Sequence, residues 1–113
     1  MAEIYESDKD YPYGTVLEVG DTGVTEFKGG SLCGVVSKAP GLLINAQGKG
    51  VMVALKGKVQ VLSIGCISAG QYCIAKDGRV YGVDKNHMTF ALSLDCVGIA
   101  LSDTVNGYTE VKV

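Results

Sequence analysis

The sequence predicts an all-β domain, a small β-barrel or β-sandwich of about nine short strands with no long helix. Sixteen glycines in 113 residues indicate many tight turns. Short valine-rich segments separated by glycine are typical of all-β domains. No stretch of about a dozen residues repeats its apolar side chains with the period of about 3.6 that a helix needs. We therefore expect less than about a tenth of the chain to be α-helical, well below the globular average.

Residues 1–13 predict an extended lead-in, and residues 14–113 a single β-domain. Asp8, Asp10 and Pro12 disfavour a helix in the lead-in. Three aromatic side chains supply apolar area there without a repeating pattern: Tyr5, Tyr11 and Tyr13. Tyrosine combines a large contact area with a hydroxyl suited to a wet rim. We expect these tyrosines to pack against a neighbouring subunit or partner, or else to cover the edge of their own domain.

The first four predicted strands lie at 14–19, 24–27, 32–37 and 51–55. The turn cluster at 20–23 joins the first two strands as a hairpin. Residues 32–37 show little polar alternation, so we expect both faces of that strand to be covered. A loop follows at 41–50, into which one helical turn at 42–46 would fit.

Five further strands are predicted at 59–64, 71–75, 80–83, 97–101 and 108–113. The last one alternates cleanly, with Thr109, Val111 and Val113 on one face. Residues 89–94 fit either a strand or one helical turn. We detect no internal repeat.

Two dipeptides predict tight turns. Asp77-Gly78 lies between two β-type segments, where a two-residue type I′ turn needs positive φ at both positions. Asn106-Gly107 gives the same signal before the last strand. These four residues are the structural turn positions that the sequence predicts.

The sequence predicts that its four cysteines are reduced and lie in the core. They are Cys33, Cys66, Cys73 and Cys96. No Cys-x-x-Cys pair is present, and each cysteine stands beside apolar or small residues. Two disulfides or a metal site are the alternatives.

No set of residues predicts catalysis, so we expect no enzyme, cofactor or metal. His87 is the only imidazole and lies in a polar segment typical of a solvated loop. The segment 48–50 lacks the remainder of a phosphate loop and predicts a turn. Four acidic residues do not follow Ca²⁺-loop spacing and read as solvated turn residues: Asp8, Asp10, Asp21 and Asp84.

Charge and hydropathy predict no nucleic-acid or membrane partner. The net charge is −2 and no basic run is present. The apolar segments are far too short to span a bilayer. The N-terminus lacks the pattern of a signal peptide, which favours synthesis in the cytoplasm.

Several segments together resemble a domain of tailed-bacteriophage structural proteins. The first segment is an acidic stretch followed by Tyr-x-x-Gly-Thr-Val-Leu at 11–17. The other segments follow it in the order that the family has. They lie at 6–17, 33–40, 44–45, 53–61, 67–74 and 97–101. The resemblance runs from Glu6 to Val113. Similar segments occur in capsid decoration proteins, which are small trimeric β-domains, and in tail fibres and their C-terminal chaperone segments.

The resemblance implies a virion structural protein, made in the host cytoplasm, that binds capsid or fibre subunits. It also implies a homo-oligomer, with a trimer expected from the three-fold axes of fibres and decorations. One alternative is a trimerising or self-cleaving chaperone domain of a tail fibre, although no cleavage motif of that family is found in this sequence. Another alternative is a small ligand- or glycan-binding β-module.

Overall fold

A computed structural model of the protein describes residues 2–37 and 50–113 and confirms the all-β prediction. Ten strands form two five-stranded antiparallel sheets in a sandwich-like arrangement. The strands of the first sheet are β1 (Ala2–Glu6), β2 (Val16–Gly20), β3 (Gly23–Glu26), β4 (Leu32–Val36) and β5 (Gly50–Ala54). Those of the second are β6 (Lys58–Leu62), β7 (Tyr72–Lys76), β8 (Arg79–Val83), β9 (Cys96–Ala100) and β10 (Tyr108–Lys112).

Helical structure in the described chain is limited to two single turns between β8 and β9. One is a 3₁₀ turn at Lys85–His87, and the other is α1 at Phe90–Ser93. The Thr89 hydroxyl accepts a hydrogen bond from the Leu92 amide at 3.1 Å, which caps α1. The helical alternative at 89–94 is therefore the one that forms.

The predicted loop at 41–50 lies outside the described residues except for its last residue. Gly50 begins β5, whereas the other two residues of the turn predicted at 48–50 lie outside the described residues. The lead-in also contains more structure than the sequence indicated. Within it, Ala2–Glu6 forms β1, which pairs with β5 along its whole length. These residues are therefore an integral edge strand of the first sheet.

The two sheets have the same internal topology. The strand orders are β1-β5-β4-β2-β3 and β6-β10-β9-β7-β8, so each sheet follows one pattern of chain connections. A parallel bridge joins Ser7 to Val24 in the first sheet, and another joins Ser63 to Val80 in the second. Each sheet therefore curls until its outer strands meet, giving two small barrel-like halves. The first half comprises β1–β5 and the second half comprises β6–β10.

The halves are an internal structural repeat, so the expectation of no repeat is wrong. A shift of 56 positions relates both bridges (63 − 7 and 80 − 24). The shift is 64 for β4 and β9 (96 − 32) and 58 for β5 and β10 (108 − 50), because the connecting loops differ in length. Side chains differ at most equivalent positions, which hides the repeat from the sequence.

Matching hydrogen bonds support this equivalence. The amide of Gly14 donates to the carbonyl of Val36, and the amide of Gly70 donates to that of Ala100, each at 2.8 Å. A register shift interrupts the β2–β4 pairing, and a shift at the equivalent step interrupts the β7–β9 pairing. The common plan thus extends to the irregular positions of the sheets.

The core has two parts. The first half encloses a small cluster built on Leu17, Val36 and Val53. A larger cluster fills the second half and includes Val16 and Val35 from the outer surface of the first half. The first half therefore packs its outer surface against the second half, and the two halves share one core.

Candidate interaction surface

Two of the three tyrosines predicted as contact residues pack inside their own domain. Tyr5 and Tyr11 are half-buried and contact the first-half core. The Tyr11 hydroxyl donates to Asp8 Oδ1 at 2.8 Å and accepts from the Glu26 amide at 3.2 Å. These contacts tie residues 8–11 to β3. A role of either tyrosine in binding a partner stays a prediction.

The same network sets the ionisation of Asp8. The hydrogen bond from Tyr11 lowers the pKa of the Asp8 carboxyl, and a smaller hydrogen-bond contribution from Thr25 acts in the same direction. Desolvation opposes the shift without reversing it. The Asp8 carboxylate lies on the surface, where its hydrogen bonds with Tyr11 and Thr25 join residues 8–11 to β3.

Tyr13 lies between the two halves. Its ring stacks on that of Tyr108, with centroids 4.8 Å apart and an interplanar angle of 11°. Desolvation is the main cause that raises the pKa of Tyr108. An open cleft of about 280 Å³ adjoins Tyr13 and is also lined by Ser37, Lys58, Val59 and Gln60.

The predicted turn residues have the backbone that a primed two-residue turn requires. Asp77 and Gly78 have φ values of 49° and 76°, and Asn106 and Gly107 have values of 53° and 82°. The first of these turns also contacts the other half. The Val16 amide donates to the Gly78 carbonyl at 2.8 Å.

The surface that joins the halves follows one row across the first sheet. Cross-strand register places Ala54, Val35 and Val16 side by side, and Phe27 follows through its hydrogen bond to Val16. All four side chains are buried, and all belong to the larger core. The positions of the second half that are equivalent to these four are Lys112, Ile99, Tyr72 and Val83, and Lys58 pairs with Lys112 beside them. We call these five residues the outer row.

The outer row lies at the surface. Ile99 is 41% exposed, whereas its equivalent Val35 is fully buried. Lys58 and Lys112 are cross-strand neighbours and both are exposed. Neither lysine forms an ion pair within the described ranges. The sequence does not predict this surface, because strand alternation alone does not show which strands become neighbours.

All four cysteines are free thiols in the structure. Cys73 is fully buried, and desolvation raises its pKa to about 12. Burial also raises the pKa values of Cys33 and Cys96. Cys66 is exposed, so its placement in the core was wrong. It lies in the connection between β6 and β7, and such connections run over the protein surface. The three shifted thiols are held in the protonated, weakly nucleophilic form at neutral pH.

The remaining candidates for chemistry do not converge. His87 is exposed, and its Nδ1 lies 4.0 Å from Asp84 Oδ2. Asp10 and Asp21 are exposed and lie outside the strands. Within residues 2–37 and 50–113, no three His, Cys, Asp or Glu side chains lie close enough to hold a metal ion.

No helix in the described part of the chain is long and apolar enough to cross a membrane. Comparison with known proteins returned no matching family model, no matching curated protein and no matching solved structure.

Proposed function

We propose that the chain is a structural protein of a tailed-bacteriophage virion. It binds other virion subunits, as a capsid decoration or as a fibre or tail accessory, and it acts as a homo-oligomer without catalysing a reaction. The observation that carries the proposal is the ordered set of family-like segments from Glu6 to Val113. Parts of these segments lie in paired strands: 33–36 in β4, 58–61 in β6, 72–74 in β7 and 97–100 in β9.

Exposed apolar side chains support an assembly role. Val19, Phe90, Leu94 and Val105 are each more than half exposed. Single exposed apolar residues are common on monomers. Phe90 and Leu94, however, lie four positions apart on α1 and the residue after it, so they form an exposed apolar pair. A pair of large exposed apolar side chains suits a module that contacts another subunit.

Purified particles provide the direct test. Phage particles from the source of the sequence would be banded on a density gradient, and their proteins identified by mass spectrometry. We expect peptides of this chain in the particle band at a fixed ratio to the major structural proteins. Immunogold labelling on the same grids would then assign the chain to the head or the tail. Its absence from intact particles would contradict the proposal.

The intact mass of the expressed chain separates this proposal from the chaperone alternative. A structural subunit keeps its mass of 11.8 kDa after purification and storage. A self-cleaving chaperone domain yields a shorter product of defined mass, and that product would favour the alternative.

A further inference from the structure

The contact between the two halves is heterologous, because each half contributes a different surface. The first half contributes its row of Val16, Val35 and its neighbours, whereas the second half contributes Val59, Ala75 and the turn at Gly78. The hydrogen bond from Val16 to Gly78 has no counterpart in the described chain between the equivalent residues Tyr72 and Thr22. The halves are therefore related head to tail, and each surface is used once within the chain.

A head-to-tail contact inside a repeat leaves two complementary surfaces unused. One is the outer row of the second half, where Ile99 is 41% exposed. The other is the end of the first half that contains Val19, the equivalent of Ala75. Ala75 is 5% exposed at the junction of the halves, whereas Val19 is 59% exposed. Each unused surface thus exposes an apolar side chain at a position whose equivalent is buried.

The outer row differs from the buried row of the first half at one edge. The buried row includes Ala54, and the exposed Lys112 replaces it in the outer row, where it pairs with Ile99. The outer row therefore combines an apolar side chain with a charged neighbour, as the rim of a subunit interface does.

We propose that a second copy of this chain docks the Val19 end of its first half on the outer row. The contact between chains repeats the contact between the halves. The occupant is a copy of the same chain because its Val19 end is equivalent to the Ala75 end, which packs with the equivalent row inside each chain. A heterologous contact of this kind gives a ring if its rotation closes and a filament if it does not. The inference rests on the repeat and does not depend on a virion role.

Single substitutions on each surface test the proposal by light scattering. Ile99→Asp and Val19→Asp each place a charge in the apolar part of one surface, so we expect either variant to fall to the 11.8 kDa monomer. Ile64→Asp is the matched control, since Ile64 is also 41% exposed and lies on neither surface. Its equivalent in the first half is Asp8, so the repeat already has an aspartate at this position. The control is expected to keep the oligomeric mass of the original chain.

Mixing the two monomeric variants gives the decisive result. Ile99→Asp keeps an intact Val19 end, and Val19→Asp keeps an intact outer row. The mixture is therefore expected to form a one-to-one dimer that grows no further. Circular dichroism of each variant checks that it remains folded. If Ile99→Asp fails to fold, Lys112→Glu on the same row replaces it, since Lys112 is exposed.

Three results would overturn the proposal. The first is an original chain that stays monomeric at high concentration. The second is a Val19→Asp variant that stays oligomeric while the outer-row variant dissociates, because the outer row would then pair with itself. The third is a mixture of monomeric variants that yields no dimer.

Discussion

The amide of Val16 in the first half donates a hydrogen bond to the carbonyl of Gly78 in the second half at 2.8 Å. The Gly78 amide in turn donates to the Phe27 carbonyl at 3.0 Å. A single turn residue thus supplies both a donor and an acceptor to the junction of the halves. Gly78 is buried at this junction, and its φ of 76° is a backbone conformation that glycine adopts readily.

Gly78→Val is expected to destabilise the fold. A β-branched residue is strained at this φ, and its Cβ would lie 2.5 Å from Glu26 Oε2. The strain corresponds to a loss on the order of 1–3 kcal/mol in the free energy of unfolding. Urea denaturation measures the loss. Gly107→Val is the control, because Gly107 has a φ of 82° but nothing lies within 4 Å of an added Cβ. If both variants unfold at the same urea concentration, the Gly78 turn adds nothing beyond its own backbone strain.

Gly98→Ala tests the close approach of β9 to β10. An added Cβ would collide with the backbone carbonyl oxygen of Lys112, which cannot move without disturbing the β10 pairing. We expect a loss of about 3 kcal/mol, at the upper end of the usual cost of overpacking. Gly65→Asn is the control, since Gly65 lies in open space at a φ of 67° that asparagine tolerates. A Gly98→Ala variant as stable as this control would contradict the tight β9–β10 contact.

Local sequence signals explain why most strands could be predicted. Alternation in 108–113 matches β10, in which Thr109 and Val111 are buried. Asp77-Gly78 carries enough backbone information to locate the β7–β8 hairpin. Strand β1 was missed because residues 2–6 alternate too weakly, and their pairing depends on β5 far along the chain.

The repeat and the outer row depend on information that single positions do not carry. Leu17 and Cys73 are equivalent core residues, yet a comparison of residue identities does not align them. Loops of different length between the strands also break the register between the halves. The outer row appears only when five strands are placed side by side, since Ile99 and Tyr72 are 27 positions apart (99 − 72) but directly paired.

Thiol reactivity is expected to follow burial. Cys66 is exposed, so it should be the first cysteine to react when a thiol reagent is added to the folded protein. Cys73 is fully buried with its pKa raised to about 12, so it should react only on unfolding. Mass spectrometry of the labelled peptides separates the sites. In denaturant without reductant, the count should reach the four cysteines of the chain. A count near zero would instead show two disulfides.

The Tyr11–Asp8 hydrogen bond is expected to make the free energy of unfolding decrease at acidic pH. The pKa of Asp8 is lowered in the folded state below its ordinary value of 3.8, chiefly by the Tyr11 hydroxyl. Stability from this interaction is therefore present above about pH 4 and is lost as the pH falls through the folded pKa. Asp8→Asn should be less stable than the original chain at neutral pH, and the difference should shrink in acid. Tyr11→Phe keeps the carboxylate but removes its main donor, so an NMR titration of the Asp8 carboxyl carbon should show the pKa rising toward 3.8. An unchanged titration in Tyr11→Phe would show that Thr25 and the local backbone hold the carboxylate without the tyrosine.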